Sequence, residues 1–269
     1  MTLALKLVVT PTLIALATLA GRRFGPSISG WLVGLPFTSG PVSLFVAIEQ
    51  GTGFAAAAAS GSIAGAAAAA VFAVVYAAMA RRTGWLATLV VASLVFIVSI
   101  AALRALALGG EFPLPLLALY VATIAATLVA VALIPGPGAL PSADPAPVWD
   151  LPARMIVATG LVLVITAFAP LIGPQLTGLI TTYPVYASVL AAFAHAQRGP
   201  EAATHVVRGL CFGLLAFATF FFVIGAAIDR LGIPIAFAGA IVTALVVQAS
   251  TLRRLRKEAP ALPRASRSL

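Results

Sequence analysis

The sequence predicts an all-α integral membrane protein, with nine transmembrane helices arranged as two inverted repeats of five and four. Three observations carry this. The 269-residue chain is 62% hydrophobic and 9% charged, whereas a soluble domain carries about 25% charge. The segment Gly25–Phe72 recurs without a gap at Gly173–Phe220, a shift of 148 residues. The 16 Lys and Arg residues fall unevenly about the apolar runs.

The candidate spans lie near 2–20, 28–48, 54–80, 85–107, 112–134, 151–171, 175–195, 202–227 and 232–252. Runs of roughly 20 apolar residues are long enough to cross a bilayer as helices. They are continuous and rich in Ala and Leu, not the ten-residue alternating segments of a barrel. The first span could be mistaken for a signal peptide. Its leading region holds only Lys6, however, Arg22 and Arg23 follow the apolar run, and the 148-residue shift lands it on the sixth span.

Four segments follow from this division: 1–134 as membrane unit one, 135–150 as a cytoplasmic Pro/Gly linker, 151–252 as unit two, and a basic tail from Arg253. The linker reads PGPGALPSADPAPVWD, a composition of turns and connections. The tail is basic and then rich in Pro, Ala and Ser, which predicts disorder near anionic headgroups.

Twelve of the 48 aligned repeat positions are identical. They include Gly25/Gly173, Pro26/Pro174, Gly30/Gly178, Pro36/Pro184, Gly51/Gly199, Gly61/Gly209 and Gly65/Gly213. Glycine and proline fix backbone shape, so these matches weigh more than shared alanines. Lys6, Arg104 and Arg230 sit on one side of the predicted membrane, and the other thirteen basic residues sit on the opposite side. Positive charge marks the cytoplasmic side, which places the N-terminus outside and the C-terminus inside. Five spans then separate the starts of the two units. An odd number turns the second unit upside down and relates the pair by a pseudo-two-fold axis in the membrane plane.

Span two reads ISGWLVGLPFTSGPVSLFVAIEQG. Pro36 and Pro41 each remove a helix donor, so they are the predicted hinges, and Gly34 and Gly40 weaken the helix further. Ser39 or Gly40 can cap a new helix with Pro41 in its first turn. Two half-helices joined near Phe37–Gly40 are expected. Span seven repeats the interruption at Thr182, Tyr183 and Pro184. Paired broken helices in corresponding halves point to a transport site. The candidate solute-binding residues are Thr38, Ser39, Gly40, Ser43, Thr182, Tyr183, Tyr186 and Ser188, with Pro184 the third hinge. The competing reading is a pair of packing kinks whose hydroxyls bond to their own helices.

Gly61-x-x-x-Gly65 and Gly209-x-x-x-Gly213 recur in register, and this spacing lets helix backbones approach closely. Packing within the chain is the default, and a homo-oligomer through these faces is the alternative. Glu49, Gln50, His195, Gln197 and Arg198 lie at span ends, where interfacial anchoring competes with function. One reading makes His195 and His205 a proton relay, since histidine as a residue type titrates near neutral pH, and the other makes them plain polar residues of the cytoplasmic rim. The lone cysteine, Cys211, has no CxxC partner. There is no HExxH, GxSxG or P-loop pattern, so no enzyme, metal or cofactor is expected. The net charge of +9 reflects orientation rather than nucleic acid. The bilayer is the expected partner.

Residues 178–240 resemble the GlpM family of small bacterial inner-membrane proteins, through Gly178-Leu179, Pro184, Ala187, Ala194-His195, Gly199, Arg208 and Phe212-Gly213. The resemblance implies a fused duplicate of such a unit. Unit one carries Ala47 and Ser60 where unit two has His195 and Arg208, so any role of those two residues is asymmetric. The plan is also similar to inverted-repeat transporters with five-helix halves, such as the drug/metabolite and bile-acid/arsenite superfamilies. The expected function is a secondary transporter or exporter of a small solute across the bacterial inner membrane. The alternative is a non-transporting scaffold or accessory subunit in envelope assembly.

Overall fold

The computed structural model describes residues 3–37, 39–106, 114–136, 146–172 and 182–258. Secondary structure is helical throughout, with no strand among the described residues. The elements are α1 (Leu3–Phe24), α2 (Pro26–Val33), α3 (Ser39–Gln50), α4 (Thr52–Ala80), α5 (Trp85–Leu106), α6 (Leu116–Leu133), α7 (Asp150–Ile172), α8 (Val185–Arg198) and α9 (Pro200–Glu258). Among the described residues, five stretches are long and apolar enough to cross a membrane: Leu7–Phe24, Thr52–Ala80, Trp85–Leu106, Leu116–Leu133 and Pro200–Leu255. Large apolar side chains also point outward along these helices, among them Leu94 and Val98 on α5, Val121 and Leu133 on α6, and Val242 and Val246 on α9. Such surface suits lipid, not water. The chain is therefore built as a multi-pass membrane protein.

Helix α9 has 59 residues, about 88 Å if straight at 1.5 Å per residue, nearly three hydrocarbon thicknesses. It is not straight. Gly232 interrupts it with φ 75° and ψ 171°. The rings of Phe220 and Phe237 lie 6.1 Å apart across that break, where 17 residues of continuous helix would hold them about 25 Å apart. The element is a hairpin of two helices, with Pro234 in the first turn of the second, where proline is tolerated. The helix runs on through Glu258. This corrects the expectation that an irregular tail starts at Arg253: the run LRRLRKE consists of good helix formers. Residues 259–269 lie outside the described part, as do 137–145 of the expected linker.

The boundaries of several elements recur at the sequence shift. α3 ends at Gln50 and α8 at Arg198; α4 starts at Thr52 and α9 at Pro200. The junction glycines of these pairs share one conformation, Gly51 at φ 90°, ψ 166° and Gly199 at φ 85°, ψ 178°. The counterpart of Gly232 is Gly84, which separates α4 from α5.

The core is the crossing of α4 with the first half of α9. α4 buries Ala59, Ala64, Ala66, Ala68, Ala69, Ala70 and Ala73. Small side chains bring helix axes close, and van der Waals contact then replaces the hydrophobic drive that lipid does not supply. α2 lies in a glycine-lined trough on α9. A methyl group on Gly30 would overlap the Val206 carbonyl, and one on Gly209 the Ser27 carbonyl. A methyl on Gly213 would fall 2.6 Å from Gly34 Cα, and one on Gly65 2.6 Å from Thr182 Cγ2. For Gly61, no other described residue comes within 4 Å of the position its methyl would take. Three of the four GxxxG glycines are thus occupied by packing inside the chain.

Candidate functional site

The interruption of span two is present. α2 stops at Val33 and α3 starts at Ser39, with Pro36 between them and Pro41 in the first turn of α3. Local bonds absorb part of the freed backbone: Gly34 N donates to Gly30 O (3.2 Å), Phe37 N to Leu35 O (2.8 Å) and Gly40 N to Pro36 O (2.8 Å). Pro184 stands immediately before α8, and Ser188 N donates to the Pro184 carbonyl at 2.8 Å. The first half of span seven, residues 173–181, lies outside the described residues, and so does Thr38.

The candidate residues separate into three groups. Tyr183 and Ser188 line one groove of about 720 Å³ between α5, α7 and α8. Ser93 joins them there, its hydroxyl 2.7 Å from the Tyr183 hydroxyl. The Tyr183 ring is held edge-on by Phe72 and Phe96. Trp85, Leu89, Val189 and Phe193 make the rest of the wall mainly apolar. Thr182 packs on Gly65, and Tyr186 reaches α1 through a long 3.4 Å bond to Thr10 Oγ1. On the other unit, Gly40 faces the Phe220 ring, while Ser39 is half-buried at the head of α3. The hydroxyls of Ser43 and Ser188 donate to carbonyls of their own segments, Gly40 O at 2.7 Å and Val185 O at 2.8 Å. The α3 candidates thus line neither this groove nor the second cavity described next.

That second cavity, about 560 Å³, lies where α1, α2, α7 and α8 converge. Its centre is Asp150, which is 1% exposed. Asp150 Oδ2 accepts from Arg22 Nη2 (2.9 Å), and Oδ1 accepts from Arg154 Nε (2.8 Å) and Gln197 Nε2 (2.6 Å). Burial alone raises the Asp150 pKa, but the three hydrogen bonds outweigh it and hold the carboxyl below the ordinary carboxylate value. Arg154 also lies over the Phe193 ring at 4.9 Å. The network joins α1, α7 and α8, and its Arg22 and Asp150 lie 128 residues apart in sequence.

Sequence reasoning missed Asp150, Arg154 and Arg22 because each resembles an ordinary span-end charge. Two signals were available. Asp150 and Arg154 have the i,i+4 spacing of a helical ion pair, and Arg154 falls inside the sixth predicted span, where a charge is functional by default.

Arg208 is a further buried cation whose Nη1 donates to Ile134 O at 2.7 Å and also to Val131 O. It closes the C-terminal carbonyls of α6, a site that favours positive charge. The residue at the matching position of the sequence repeat is Ser60.

No protein family, curated protein or solved structure matches the chain. Its reading rests on its own residues.

Proposed function

We propose that the protein is a secondary transporter or exporter of a small solute in the bacterial inner membrane, built as an inverted 5+4 pair of units with the N-terminus outside. The observation that carries this reading is an exchanged contact. Gly65 of unit one packs on Thr182 of unit two, and Gly213 of unit two packs on Gly34 of unit one. Gly213 is the 148-residue counterpart of Gly65, and Thr182 of Gly34. Reciprocal contacts of this kind are the mark of a two-fold relation. Each joins a small-residue helix of one unit to the segment that precedes the half-helix of the other.

Unequal packing of the matched half-helices supports alternating access. α8 is buried against α2, α5, α7 and α9. Its counterpart α3 leaves Phe45, Ile48, Glu49 and Gln50 exposed. Two equivalent elements in unequal surroundings are what one of two interconverting states requires, since the other state exchanges the surroundings. The solute would meet Tyr183, Ser93 and Ser188 in the groove. No carboxylate of the described residues lines the groove, so a neutral polar solute or a small anion fits better than a multivalent cation.

The test is thermal stability of the purified full-length protein against a library of small solutes, followed by flux of each hit in proteoliposomes. A solute that raises the melting temperature of wild type in proportion to its concentration, as ligand linkage demands, and crosses the vesicle membrane supports the reading. Loss of both effects in a Tyr183→Phe/Ser188→Ala variant that still folds locates the site in the groove. No flux for any solute transfers the weight to a scaffold or accessory subunit in envelope assembly.

A further inference from the structure

The cavity around Asp150 holds more positive charge than its carboxylate neutralises. Arg22, Arg154 and Arg198 all line it, against the single acid Asp150. Both Asp150 oxygens are already engaged, Oδ1 twice and Oδ2 once. Two cationic charges are therefore left over. Arg22 and Arg198 each stand close enough to Arg154 to repel it, and Arg154 is only 7% exposed. Like charges held together at the edge of a low-dielectric region repel strongly, and a bound anion relieves that repulsion.

A second, independent observation points the same way. Thr18 on α1 lines the same cavity, is 4% exposed, and its hydroxyl has no hydrogen-bond partner among the described residues. A buried hydroxyl is normally paired. Here the free donor stands on a wall that also carries guanidinium groups. Arg198 has no ion-pair partner among the described residues. The planar guanidinium fork matches the oxygens of a phosphate or carboxylate. The cavity volume of about 560 Å³ falls within the range of small-molecule sites.

We propose that this cavity binds an oxyanion, the phosphate or carboxylate group of a small ligand, with Arg198, Arg22 and the Thr18 hydroxyl as its donors. Asp150 and Gln197 position Arg154 and Arg22 and do not touch the ligand. The site is distinct from the Tyr183–Ser188 groove and does not depend on whether that groove transports a solute.

Two sources supply this chemistry, a soluble anion and an anionic lipid headgroup, and one experiment separates them. Purified full-length protein in a neutral detergent is titrated with inorganic phosphate, with binding read by calorimetry. In a second arm the protein is placed in nanodiscs of phosphatidylcholine with or without phosphatidylglycerol, and bound lipid is counted by native mass spectrometry. Arg198→Gln leaves the Asp150 bonds intact, and Thr18→Val keeps the side-chain shape, so both variants are expected to fold. Arg198→Gln should weaken binding about tenfold or more and Thr18→Val about threefold, the scale of lost charged and neutral hydrogen bonds. Phosphate binding with those losses identifies a soluble anion. Selective retention of phosphatidylglycerol, lost in Arg198→Gln, identifies a headgroup. The proposal fails if wild type binds neither, or if both variants bind as tightly as wild type. Failure of solute flux would leave this result untouched.

Discussion

Gly65 on α4 and Thr182 before α8 approach so closely that a methyl on the glycine would sit 2.6 Å from the threonine Cγ2. The counterpart Gly213 is tighter in kind, because its methyl would meet backbone, Gly34 Cα and Trp31 O, both at 2.6 Å. A side chain can turn aside and a backbone cannot. Gly213→Ala should therefore cost more than Gly65→Ala, within the roughly 1–3 kcal/mol of overpacking. Unfolding of the two variants in detergent, followed by circular dichroism, ranks them. If Gly65→Ala proves the more damaging, the Thr182 side chain is held as firmly as backbone.

The matched junctions make a paired prediction. Gly51 and Gly199 adopt backbone angles open essentially to glycine alone. Neither has crowding within 3.4 Å of a would-be Cβ, so a substitution reports backbone strain. Alanine at either position should destabilise by about 1–3 kcal/mol, and the two costs should be similar. A clear inequality, measured by the same unfolding assay, would show that only one junction is rigidly held.

These comparisons show where the sequence was legible. Helix existence followed from apolar run length, and the break at Pro36 followed from missing donors, because both are local properties. The pairing of Gly65 with Thr182 was not visible, since the 148-residue repeat predicts which residues are equivalent but not which ones touch. The Asp150 cluster was hidden for the same reason. Arg22 and Asp150 meet only because α1 and α7 pack side by side, and each alone reads as a charge at a membrane edge. The turn within α9 was legible too, as the gap between the spans at 202–227 and 232–252, where Gly232 breaks the helix.

Arg208 should be needed for α6 rather than for the repeat as a whole. Its guanidinium donates to carbonyls of Val131 and Ile134 at the end of α6. Arg208→Gln should cost roughly 1.5–3 kcal/mol, the range for hydrogen bonds to a charged group. Hydrogen exchange should show the loosening concentrated at residues 128–134. Uniform loosening across α9 instead would mean that the arginine mainly supports its own helix.

Breaking the Asp150 network should have a large effect. Removing one member of a buried ion pair leaves an uncompensated charge, at about 3–5 kcal/mol. Asp150→Asn should approach that range. Arg154→Gln should as well, and the double variant should cost less than the sum of the two, as expected for residues in direct contact. The pH dependence carries a definite sign. The folded state holds the Asp150 carboxyl below its ordinary value, near 3.9 in an unfolded chain. Between those two values the unfolded state binds more protons, so stability rises with pH there. The contribution of Asp150 is complete above about pH 4 and is lost as the pH falls through the folded value. Wild type should therefore lose melting temperature more steeply than Asp150→Asn on acidification below about pH 4. Parallel curves for the two proteins would show that the carboxylate is not held by Arg22, Arg154 and Gln197 in solution.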